Sequence, residues 1–556
     1  MFSNKNSHNW QDRPLPSKLK LMLSLTIPFP CAAARPLAFL ATVIVAVGAG
    51  ILPLRAQNAA EAAADRQRCL GEAAASIDKR IEACSALIGK SGAGKDELIG
   101  FYLARGDAQR DKRQLDAAIE DYGQALKLDS RLLQALNRRG LAYAEKGDRE
   151  RALADFDRAI GAHPKEAESY NNRGAIWRDR GIPDRALADF DKAIQLDPKF
   201  ASAHNNRGLV WYDRKNYERA IASLDEAIRL SPDFARAFVN RGNAYDDSGD
   251  AKRALSDYAE AIRLDHNDAL AYLNRGIVLR RQDQIDRALA DFDQAVKLDP
   301  AQIQAREVRG LTLYSKGDYA GAIADLSEVI RLDPKRATAY NNRGNAFDEK
   351  GDGGRALADY NQAIRLDPKY AAAYYNRAMA LRKRGDLERA IADFDRAIAL
   401  DRSNPAIFNN RGNAFAEQGD YERAVADFDQ ALKLDPKYFE AFNNRGNAFL
   451  EKKDYERAVA DFSKAAELAP DNAVPLFNRA SALHLAGRDK DALADINKSI
   501  QLDGKKAPAF SARGLIYEKL GEKDKAAADF RRAIALEPNL KEPMDGLIRL
   551  GVRVRR

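Results

Sequence analysis

Apolar positions recur in two linked stripes along most of this chain. The first has a bulky residue, a small residue four later and a large apolar residue three beyond that, as in Tyr170, Gly174 and Trp177, or Tyr340, Gly344 and Phe347. The spacing i, i+4, i+7 is one face of a helix. A turn follows, often Gly-Asp, as at Gly147-Asp148 and Gly419-Asp420. Glycine suits a left-handed C-cap there, and aspartate caps the next helix. The second stripe has an alanine, a large residue four later and a small residue three beyond, as in Ala186, Phe190 and Ala193. It closes on sequences such as Leu196-Asp197-Pro198, where proline stops the helix and restricts the residue before it. The pattern predicts pairs of short antiparallel helices.

The last small residue of the second stripe falls at Ala125, Ala159, Ala193, Ala227, Ala261, Ala295, Val329, Ala363, Ala397, Ala431, Ala465, Ser499 and Ala533. Every step is 34 residues, and thirteen units run without insertion over 99–540. A hairpin of this kind cannot bury its apolar face alone, so stacking must make the core. A 34-residue period marks the tetratricopeptide repeat, and the chain resembles that family over about four-fifths of its length. The resemblance implies an all-α solenoid, a right-handed superhelix with the first helices lining its concave side. It also implies binding of other proteins rather than catalysis. Trp177 and Trp211 are expected in the core.

The flanks divide the rest. Residues 37–54, LAFLATVIVAVGAGILPL, are an uncharged run preceded by Lys18, Lys20 and Arg35. A basic n-region before an apolar stretch reads as a signal peptide, or as an uncleaved anchor because the run is long. The domain organisation expected is 1–56 signal peptide or signal anchor and 57–98 degenerate capping hairpin and linker. Residues 99–540 are the thirteen repeats, and 541–556 a C-terminal capping helix, built on Met544, Leu547 and Ile548, with a basic tail. Export places the body in the periplasm or on the periplasmic face of the inner membrane, if the source is a bacterium. Cys31 would leave with a signal peptide; Cys69 and Cys84 remain. Two cysteines in an oxidising compartment read as one disulfide, with buried thiols as the alternative.

Charge changes the picture little. The formal net charge is +8, and residues 1–56 supply +5 of it through three Lys, three Arg and one Asp. The nearly balanced body excludes a strong polyanion binder, and nucleic acid is not an expected partner. Gly89-Lys-Ser-Gly-Ala-Gly94-Lys95 resembles a phosphate loop, but Asp96 stands where Ser or Thr is required and no strand is expected before it. His8, His163, His204, His266 and His484 lack ligand or triad neighbours. No catalytic residue, metal site or cofactor is expected.

Two polar features repeat. Arginine precedes the small residue of the first stripe in all thirteen units, from Arg105 to Arg513. Aspartate precedes the second-stripe large residue in twelve, from Asp121 to Asp529, with Ser223 as the exception. The matched pair predicts a charge-assisted bond between the two helices, and Arg207, opposite Ser223, should turn to a neighbouring unit or to water. Asparagine precedes the arginine at Asn172, Asn206, Asn240, Asn274, Asn342, Asn376, Asn410, Asn444 and Asn478. The family resemblance puts these on the concave face, where carboxamides can pair with an extended peptide backbone. They are the candidate peptide-groove residues and are expected to face solvent; the competing reading is that they bond only their neighbours. The ladder breaks at Val308, in a unit with Arg306 and Glu307. Some clamps of this family hold a terminal carboxylate with a lysine just before the asparagine, and no unit here has one. The function expected is a scaffold of the cell envelope that binds an extended segment of a protein partner. The alternative is a superhelix that binds glycan or cell-wall polymer. Membrane contact is expected only through an uncleaved N-terminal segment. The oligomeric state is open.

Overall fold

The computed structural model describes residues 54–71, 75–90 and 92–552. The apolar run and Cys31 lie in a segment whose residues 1–53 are outside the described ones, as does the tail from Arg553. The described residues hold twenty-nine helices and no strand. None of these helices is long and apolar enough to cross a membrane. Contacts divide the chain into one unit ending at Pro300 and another from Ala301. Each is a stack of helical hairpins in which every helix packs mainly on its sequence neighbours.

Both units are built from one hairpin. In the unit that begins at Ala167, a first helix Ala167–Asp179 packs against a second, Pro183–Leu196. The second-helix aromatic is the keystone: Tyr122, Phe156, Phe190, Phe292, Phe394, Phe428 and Phe530 are fully buried. The small residue opposite makes room for it. A Cβ built on Gly174 would lie 2.8 Å from Phe190 Cε1, too close for any real contact. Ala378, opposite Phe394, shows that one methyl is tolerated where the ring can shift. Turns follow the expected chemistry: Gly147 is left-handed at φ 87°, and the Asp148 side chain accepts from the Arg151 backbone N–H at 3.1 Å. The Arg151 guanidinium then lies over the Tyr143 ring, 4.8 Å from its centre, and Arg185 lies over Trp177 in the same way. Cation–π contacts therefore tie each such turn to the preceding helix. Both tryptophans are half-buried beneath their arginines, with Trp177 packed on the cluster that holds Phe156 and Ile176.

The ends differ from the regular units. Leu54–Leu70 and Ile77–Ile88 form the N-terminal hairpin, clipped by a disulfide between Cys69 and Cys84, both completely buried. The phosphate-loop-like stretch joins this hairpin to the next helix, with no strand before it; its Ser91 lies outside the described residues. The first helix of the first repeat is longer than its equivalents, Lys95–Asp111, because Glu97 accepts from Gly94 N–H at 3.3 Å and pairs with Arg66 at 2.6 Å. At the other end, Lys541–Arg549 covers the last hairpin through Pro543, Gly546 and Leu547. Ile548 does not belong to that face as expected: it is 66% exposed, one residue past the buried Leu547 and turned outward by the helical period.

Candidate functional site

The arginine series forms the spine of each unit. Arg173 Nε and Nη2 donate to the two carboxylate oxygens of Asp189 at 2.9 and 2.7 Å. The same two-point bond recurs in the units carrying Arg105, Arg139, Arg241, Arg275, Arg309, Arg343, Arg377, Arg411, Arg445, Arg479 and Arg513. The carboxylate holds the Arg173 guanidinium above its ordinary pKa. The remaining nitrogen reaches back to the second helix of the preceding hairpin, for example from Arg173 to Asp157 at 2.7 Å and from Arg445 to Asp429 at 2.5 Å. Arg207 follows the expectation for it. It meets Ser223 Oγ at 3.2 Å and turns to Asp191 of the preceding hairpin at 3.1 Å.

The asparagine series is placed differently from the sequence expectation. Asn172, Asn206, Asn240, Asn410 and Asn478 are buried, and Asn274, Asn342, Asn376 and Asn444 are half-buried. Their amide nitrogens cross to the preceding hairpin: Asn206 donates to Asn171, Asn240 to Asn205, Asn376 to Asn341, Asn444 to Asn409 and Asn478 to Asn443, at 2.8–3.0 Å. Asn274 donates to Asn243, and Asn410 to the Tyr375 hydroxyl and the Ala406 carbonyl. The expectation of nine solvent-facing side chains is corrected accordingly. A carboxamide between two closely packed first helices finds a partner there before it finds solvent. Two members keep a free amide. The Asn172 Nδ2 is buried without a partner. Asn342 makes no such bond among the described residues: Glu307 stands at the acceptor position and turns to Arg336 at 2.9 Å and Thr338 at 3.4 Å.

The series nevertheless borders open space in the second unit. A groove of about 660 Å³ runs along the first helices there, and its wall includes Asn443, Asn444 and Asn478. A smaller hollow of about 110 Å³ holds Asn341, Asn342 and Asn376 among Tyr314, Tyr370 and Tyr375. Burial pushes the Tyr370 and Tyr375 hydroxyls up to about 12, so both are neutral donors. Sequence reading missed a second rank of carboxamides one residue after the small position: Asn243, Asn345, Asn413 and Asn447. Asn243 and Asn345 accept from the second-helix hydroxyls of Tyr258 and Tyr360 at 2.8 and 2.9 Å. Asn413 and Asn447 face units whose second-helix aromatics are Phe428 and Phe462, which have no hydroxyl, and both line the groove. The pairing of a polar residue with Tyr in some units and Phe in others was the available signal.

The histidines are structural. His163 and His204 bond the carbonyls of Arg131 and Pro198, His266 that of Ile262, and His484 faces Asp489. His8 lies outside the described residues.

Models of the family described as TPR repeat match residues 106–147, 242–283, 310–351, 379–419 and 412–453. Models described as tetratricopeptide repeat match 137–199 and 177–234, then 269–302, 337–370, 439–472 and 507–540, and 359–392. The matches together span more than half of the chain. No curated protein matches it. Among solved structures, a chain of the APC/C hetero-tetramer Cut9-Hcn1 is similar at 15% identity, over 84% of this chain and 98% of that one, with a TM-score of 0.40. A repeat protein from Parabacteroides merdae ATCC 43184 is similar at 22% identity, over 45% of this chain and 98% of that one, with a TM-score of 0.38.

Proposed function

Because this chain belongs to the tetratricopeptide repeat family, whose arrays are protein-interaction scaffolds, we propose that it holds an extended segment of a partner protein along the groove on its second unit. The observation that carries this reading is the pair Asn413 and Asn447, half-buried carboxamides that line the groove and are not consumed by a neighbouring hydroxyl. A carboxamide offers one acceptor and two donors, matching the alternating C=O and N–H of an extended backbone whatever its sequence. Carboxamides from two adjacent hairpins on one wall can therefore bond one extended backbone. Asn444 and Asn478 stand on the same wall, and the bonded ladder members serve to hold successive first helices together.

The reading includes location outside the cytoplasm. The Cys69–Cys84 disulfide suits an oxidising compartment, and the basic, then apolar, N-terminal sequence suits export. Labelling of thiols on protein taken from cells without reductant tests this. Neither Cys69 nor Cys84 should react before reduction, and full reaction of both refutes it.

The binding role is tested by placing a photoreactive residue at position 447 in cells and identifying the adduct by mass spectrometry. A peptide adduct from one dominant partner is expected. A glycan adduct would transfer the groove to cell-wall polymer, and no adduct above the level seen at a second-helix surface position would overturn the proposal.

A further inference from the structure

We propose that the segment held in this groove is basic, with Lys or Arg side chains received by Glu417 and Glu451; the inference rests on the peptide-binding reading above. Charged side chains on the groove wall are Glu417, Glu440 and Glu451 against the single guanidinium of Arg382. In two other units the carboxylate at the equivalent end of a first helix is paired with an arginine of the preceding hairpin. Arg110 lies 3.3 Å from Glu145, and Arg178 lies 2.7 Å from Asp213.

That arrangement lapses at the groove. The cation position that would serve Glu451 is occupied by Ala416, and Glu451 is exposed with no ion pair among the described residues. Glu417 does have its arginine, Arg382, but at 3.5 Å, while Arg382 donates to Asn410 at 3.1 Å. Glu417 remains 47% exposed at its side chain.

Glu451 shares its hairpin with Asn447, and Glu417, loosely paired with Arg382, shares its hairpin with Asn413. The carboxylates and the carboxamides are chemically independent and share one wall. Together they present a backbone-bonding amide and a carboxylate from each of two adjacent hairpins. A cationic side chain on the bound strand gives Glu451 the partner the fold withholds, and a second shares the half-exposed Glu417 with Arg382, each as a charge-assisted bond.

The test is selection of phage-displayed random dodecapeptides on the full-length protein, followed by affinity measurement with the best synthetic peptide. Enrichment of Lys or Arg is expected. Glu451→Gln should weaken that peptide about tenfold, with a further loss in Glu417→Gln/Glu451→Gln. Glu417→Lys/Glu451→Lys should enrich acidic sequences instead. Thermal unfolding of each variant confirms the fold, to which the unpaired Glu451 and the loosely paired, half-exposed Glu417 contribute little. Enriched peptides without basic bias, lost in Asn447→Ala, would overturn the charge inference and leave segment binding intact. Selection no better than with Asn413→Ala/Asn447→Ala would overturn both.

Discussion

At the scale of single residues, the asparagines separate two roles that share one sequence signature. Asn376 gives its amide to Asn341, whereas Asn447 has no second-helix hydroxyl to receive. Asn376→Ala should cost about 1–3 kcal/mol by leaving a buried acceptor unpaired. Asn447→Ala should change stability by less than about 0.5 kcal/mol yet weaken partner binding roughly two- to tenfold. Denaturant unfolding and affinity on the same two variants check both statements, and the opposite pattern would return the ladder to direct ligand contact. Glu307 offers a pH test. Burial raises its carboxyl above the ordinary 4.5, so the folded state binds that proton more tightly than the unfolded state. Its stabilising contribution is present below the ordinary value and is lost as pH rises through the folded value. Glu307→Gln should therefore slow hydrogen exchange in Ile303–Ser315 at neutral pH, and its advantage should vanish on acidification; Arg336 keeps Asp333 as a partner at 3.3 Å. The arginine–aspartate bonds were legible in the sequence, because both members recur with the same period and only one geometry joins them. The direction of the carboxamides was not. Periodicity assigns a residue to a helix face, but whether that face meets solvent or the next hairpin depends on how closely the hairpins stack.

At the scale of elements, the repeat made nearly every helix readable, and deviations fall where non-repeating contacts intervene. The extension of the first repeat's helix back to Lys95 rests on Arg66, a residue of the N-terminal hairpin with no equivalent in later units. The C-terminal helix exposes Ile548 because a helix of nine residues has only one narrow face to bury. Turns carry a residual cost that can be removed. Lys453 takes φ 61° at the position where Gly419 takes φ 82°. The left-handed conformation costs a non-glycine residue about 1–2 kcal/mol, partly offset by the greater flexibility of glycine in the unfolded chain. Lys453→Gly should therefore stabilise the protein by roughly 0.5 kcal/mol, seen as a higher denaturant midpoint. A lower midpoint would mean that the lysine side chain makes a contribution of its own.

At the scale of the whole molecule, stability is a sum of hairpins and their junctions. The disulfide closes a loop of 15 residues in the N-terminal hairpin, which is worth about 3 kcal/mol in the chain-entropy account. Cys69→Ser/Cys84→Ser should speed hydrogen exchange across Ile77–Ile88 and leave Tyr421–Leu434 unchanged, since repeats couple chiefly to their neighbours. Equal loss of protection in both helices would show the array melting as one body. The cysteine pair was legible from count and placement, and the open carboxamides of the groove were not, because they arise from the hydroxyls that two hairpins lack. The backward reach of the arginines has a last consequence. In the second unit the junctions made by Arg411 to Asp395 and Arg445 to Asp429 are ionic, whereas those of Arg343, Arg377, Arg479 and Arg513 end on the neutral side chains Ser327, Asn361, Ser463 and Asn497. Treated as a spring, this stack has its stiffest coils under the groove and softer ones on either side. Tension along the stack would be taken up by the outer coils first, and the walls of the groove would be the last part to deform.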